Sequence, residues 1–88
     1  MHPSHETLLG QLDDAATKVA VGGLYYHYKN PQLHYKVVGL GVTEADDSIC
    51  VMYEAQYDKR LVFVRPLASW LDKVEWQNKV SDRFTPVR

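Results

Sequence analysis

Leu24-Tyr25-Tyr26-His27-Tyr28, the pair Asn30-Pro31 and the run from Leu33 to Thr43 decide the fold class. The first run is dense in aromatic strand formers, and Asn30-Pro31 reads as a turn. Gly39 and Gly41, inside the second run, predict a bulge or sharp bend of the kind a small barrel uses at its corners. Working outward, Glu44-Ala45-Asp46-Asp47 is an acidic turn, Ser48 to Gln56 a third strand, and Leu61 to Arg65 a fourth. Asp58-Lys59-Arg60 supplies the polar turn between the last two. Connections this short exclude parallel crossovers, so the four strands are predicted to be antiparallel in one strongly bent sheet. Pro66 closes the fourth strand. Leu67 to Leu71 reads as one short helical turn. Val74 to Trp76 and Val80 to Phe84 read as a closing hairpin across Gln77-Asn78.

Upstream, Leu8, Leu9, Leu12, Ala15, Ala16 and Val19 recur at helical spacing. Ser4 is the expected N-cap, Glu6 falls in the first turn, and Gly22-Gly23 ends the element. The stripe of Leu8, Leu12 and Ala16 is predicted to be buried. The chain is therefore expected to be one domain. Residues 1–22 would form an amphipathic helix, and residues 23–88 a small, partly open antiparallel barrel of about five strands.

Composition agrees. The chain has 88 residues, 45% apolar and 24% charged, with six Tyr, two Trp and two Phe, too many rings for a disordered chain. A net charge of −1 argues against strong non-specific nucleic-acid binding but leaves room for a local basic patch. One cysteine, Cys50, sits between apolar residues and reads as a buried free thiol, which suits a reducing compartment. No signal peptide or membrane span is evident, so a cytoplasmic location and no membrane partner are expected. No cofactor is expected. Neither the four His residues nor the paired aspartates match a metal-ligand spacing, His2 and His5 being assigned to a mobile terminus.

Several stretches resemble a bacterial family, domain of unknown function 1653, over about Gly23 to Phe84. They are Gly23-Leu24-Tyr25-Tyr26-His27-Tyr28-Lys29, Tyr35 with Val37-Val38-Gly39, Val51-Met52-Tyr53, Ala55 and Tyr57. Val62-Phe63-Val64-Arg65-Pro66-Leu67, Trp70, Val74 and Arg83-Phe84 complete the match. The resemblance implies an SH3-like small barrel and no known activity. The chain departs from the family pattern at Thr43-Glu44-Ala45-Asp46, where a His-Ser-Glu-Thr stretch is usual, and at Tyr26 and Glu54, where the family has Arg. No role resting on those family residues is carried over.

The candidate site is Tyr25, His27, Tyr28, Lys29, Tyr35 and Arg65. Alternation puts Tyr25 and His27 on one face of their strand, and Phe63 and Arg65 on one face of theirs. Rings beside cationic groups can stack a base or cradle an anion. Each residue also has a structural reading: the tyrosines as core or cross-strand pairs, His27 as a hydrogen-bonded histidine, and Arg65 as the ion-pair partner of Glu54. The leading expectation is a non-catalytic binding module for a nucleic acid, a nucleotide-like ligand or a peptide. The alternatives are a small enzyme using His27 with a pocket tyrosine, and an assembly protein forming a homodimer through its helix stripe or a sheet edge.

Overall fold

The computed structural model describes residues 3–88; His2 lies outside them. Helix α1 spans His5–Lys18, so His5 is helical rather than part of a loose terminus. Ser4 caps it, its hydroxyl accepting from the Thr7 N–H at 3.1 Å. The buried helix-side residues are Ala15 and Val19, with Leu8 and Leu12 half-buried and Ala16 exposed. The buried stripe therefore runs Leu8–Leu12–Ala15–Val19, not through Ala16. Helical periodicity alone admits both readings, because adjacent positions differ by only about 100° around the axis. Val19 belongs to the same core as Tyr25, Val37, Val51, Tyr53, Trp70 and Phe84. Gly22 then turns the chain at φ +88°, a left-handed conformation that glycine alone adopts freely, and its N–H donates to the Val37 carbonyl.

Four antiparallel strands follow: β1 Leu24–His27, β2 Asn30–Thr43, β3 Ser48–Ala55 and β4 Val62–Pro66. The turn joining β1 to β2 is Tyr28-Lys29, because His27 already pairs with Asn30. Asn30-Pro31 thus opens β2 instead of turning the chain. The β2–β3 register slips by one between Val37 and Gly39, which places the expected bulge at Val38. Gly39 and Gly41 lie under Met52, whose methyl would sit 3.1 and 3.3 Å from an added Cβ.

After the short helix α2, Leu67–Leu71, a hairpin forms from β5 Lys73–Trp76 and β6 Lys79–Asp82. Its turn, Gln77-Asn78, takes φ +52° and +64°, the positive pair that matches the twist of a two-residue hairpin. The expected second hairpin strand does not continue to Phe84. It stops at Asp82, and Phe84–Pro86 becomes β7, paired with the free edge of β1. The sheet order is β4-β3-β2-β1-β7. The outer strands β4 and β7 do not pair with each other, so the barrel expectation is met as an open five-stranded antiparallel sheet, not a closed one. No described helix is long and apolar enough to cross a membrane.

Candidate functional site

The concave face of the sheet holds a hollow of about 260 Å³ lined by His27, Tyr35, Tyr53, Phe63, Arg65 and Phe84. Every strand of the five contributes. His27 and Phe84 are register partners on β1 and β7, and Tyr53 and Phe63 are partners on β3 and β4. Tyr35 sits beside Ala55 from β2, and Arg65 beside Val51 from β4. Strand alternation sends all six side chains to the same face.

Phe84 is the floor. Trp70 stacks beneath it at 3.8 Å with the ring planes 4° apart. The His27 ring meets it edge-on at 5.2 Å, and the Arg65 guanidinium lies 5.4 Å over its centroid. His27 and Arg65 are not cross-strand neighbours. β1 and β4 are three strand spacings apart, about 14 Å in a flat sheet. The curl of the sheet turns the two residues into facing walls of one hollow.

Arg65 has no carboxylate partner among the described residues. Its Nε donates to Tyr53 Oη at 3.3 Å and its Nη1 to Ser69 Oγ at 3.0 Å. Glu54, its expected partner, lies on the opposite face of β3 and accepts from Gln56 Nε2. The guanidinium is held in place by two neutral hydroxyls and a ring, which fix its direction and leave its charge uncompensated.

Burial lowers the pKa of His27 below its ordinary value of 6.5, and the positive charges of Arg65, Arg83 and Lys29 lower it further. Its Nδ1 accepts the Lys29 backbone N–H at 3.3 Å, so the neutral ring carries its proton on Nε2. Four cationic or cation-capable groups thus converge around one aromatic hollow on a chain of net charge −1. Arg83 contributes from behind: its Nε is buried without a hydrogen-bond partner, and its nearest carboxylate, Asp72, is 3.8 Å away. Burial and the Tyr57 hydroxyl, 3.2 Å away, push Tyr35 up to about 12, so it remains a neutral donor and acceptor.

The remaining sequence candidates are placed differently. Tyr25 is a core residue. Its ring packs edge-on against Trp70 and its hydroxyl accepts the Ala20 N–H, so it supports the hollow from below without lining it. Tyr28, displaced into the turn, leans on His27 at 4.5 Å and meets Trp76 of the hairpin. Lys29 lies about 6 Å from both of those rings, at 5.8 and 6.0 Å. This pair flanks the rim. Tyr53, Phe63 and Phe84 were missed as lining residues. Phe63 was within reach, since alternation already aligned it with Arg65. Phe84 was not, because its strand is three residues long and its partner, β1, lies almost sixty residues back in the chain. Among the described residues, no group of three or more His, Cys, Asp or Glu is placed to hold a metal ion.

Comparison with known proteins agrees with the fold. The model of a family described as protein of unknown function, DUF1653, matches residues 23–86. A crystal structure of a DUF1653 protein from Bordetella bronchiseptica superposes with a TM-score of 0.65 at 29% identity, over 75% of this chain and 85% of that one. No curated protein matches.

Proposed function

We propose, from the premise that this chain belongs to the DUF1653 family, that it is a non-catalytic binding module whose hollow receives one anionic group of a nucleotide-like ligand. The observation that carries this reading is Arg65: a guanidinium held at the wall of a solvent-reachable hollow by two hydroxyls and the Phe84 ring, facing His27 across an aromatic floor. A phosphate between them accepts from the outward face of the guanidinium and from His27 Nε2–H, and charge-assisted bonds of this kind are about twice as strong as neutral ones. The hollow is small for a whole ligand, since pockets that enclose one hold about 300–1,000 Å³. It fits the phosphate, with the attached base reaching the half-buried ring of Tyr28 and the exposed ring of Trp76 at the rim.

The test is a titration of labelled nucleoside monophosphates, short single-stranded oligonucleotides and free-carboxylate peptides against wild type, His27→Ala and Arg65→Ala. It is run at low and at high salt. The reading expects saturable nucleotide binding that weakens in both variants while circular dichroism shows the fold intact. It is overturned by no binding at low salt, where attraction is least screened, or by unfolding of both variants. Preference for the peptide would move the assignment to a carboxylate receptor. An enzyme reading has no comparable support: among the described residues, the contacts of the His27 ring are the Lys29 N–H and the rings of Tyr28 and Phe84, with no carboxylate to orient it.

A further inference from the structure

β4 is an outer strand of the sheet, and the features that usually blunt such an edge, here the charge of Arg65 and the missing N–H of Pro66, are confined to its last two residues. From Leu61 to Val64 it carries no charge, proline or bulge, and Val62 and Val64 are 52% and 64% exposed. The Ala55 N–H donates to the Leu61 carbonyl, which fixes the phase of the β3–β4 ladder. In an antiparallel ladder the inward-bonding residues alternate, so Leu61, Phe63 and Arg65 bond toward β3. The peptide groups of Val62 and Val64 therefore point outward, with no strand among the described residues to receive them.

We infer that β4 pairs with β4 of a second copy, antiparallel about a two-fold axis through Phe63, joining two sheets into one of ten strands. The sequence Val62-Phe63-Val64 reads the same in both directions. In this register Val62 bonds Val64 of the other copy, Val64 bonds Val62, and the two Phe63 residues meet as the close, non-bonded pair. Leu61 faces Arg65, so no like charges oppose. The neighbouring symmetric registers are poorer. Centring on Val64 sets Val62 against Pro66, which has no N–H to give, and centring on Val62 sets Lys59 against Arg65. Pairing also covers the outward valines of both copies and brings the two hollows side by side, with Phe63 forming a shared wall. This inference does not depend on what the hollow binds.

One strand per partner is a small contact, below the roughly 1,200 Å² of standard interfaces, so the dimer is expected to be weak and concentration-dependent. Sedimentation velocity over a concentration series reaching about 1 mM should show monomer passing to dimer, 1 mM being a dissociation constant that only about 4 kcal/mol sustains. Val64→Lys, at an exposed site that leaves the core untouched, should weaken dimerisation at least tenfold with no change in circular dichroism. Mild oxidation should crosslink Phe63→Cys through the two-fold faster than Val62→Cys, whose mate lies two residues away. Three results overturn the inference: a wild type that stays monomeric throughout, a dimer indifferent to Val64→Lys, or Val62→Cys crosslinking as fast as Phe63→Cys.

Discussion

Folding and anion binding make opposite demands on the His27 proton. With its pKa lowered in the folded chain, His27 is protonated more readily after unfolding. Between the folded and unfolded values the unfolded state binds the extra proton, so stability from this group is complete above pH 6.5 and is lost as pH falls through the folded value. A bound anion acts the other way: it favours the charged ring, so affinity should rise on acidification. Urea unfolding near pH 7.5 and near pH 5.5 should show lower stability at the acid end, and His27→Gln should reduce that difference. Phosphate affinity over the same range should increase for wild type and be flatter for His27→Gln. Arg65→Gln keeps a hydrogen-bonding side chain and removes the charge. It should lower phosphate affinity tenfold or more, about 1.4 kcal/mol, at any pH. The sequence made this pair legible as candidates through strand alternation. It could not show that Glu54 sits on the wrong face to neutralise Arg65, because that depends on which residues of β3 face the hollow.

The elements were legible in proportion to how local their signals are. Ser4, the acidic turn, the Asp58-Lys59-Arg60 turn and Gln77-Asn78 each act within a few residues, and each is found where its chemistry places it. The bulge beside Gly39 was equally local. The β1–β2 turn was misplaced because Asn30-Pro31 is the stronger turn signal, yet pairing of His27 with Asn30 outweighs it. In α1 the packing partner decides the buried face. Val19→Ala, deleting a wholly buried side chain next to Tyr25 and Val37, should cost about 2–3 kcal/mol in denaturant unfolding. Leu12→Ala, at a half-buried site, should cost about 1 kcal/mol. The reverse order would mean that the main anchor of the helix is Leu12 in its middle and not Val19 at its end.

At the scale of the molecule, the hollow depends on curvature. No pair of neighbouring strands contains it; β1 and β4 meet across it only because a five-stranded sheet curls around the Trp70–Phe84 stack. That arrangement joins residues from 27 to 84, which is why the sequence pointed to His27, Tyr35 and Arg65 but not to Tyr53, Phe63 or the floor, Phe84. The match over residues 23–86 ties the same framework to the DUF1653 family. The central claim is that Arg65 and His27 together receive an anion, and a two-dimensional NMR titration of the whole chain with a nucleoside monophosphate tests it most directly. The account predicts saturable shifts at the Arg65 Nε–H, the His27 ring and Phe84, absent in Arg65→Gln at the same ligand concentrations. Shifts that fail to saturate, or that persist unchanged in Arg65→Gln, would contradict it.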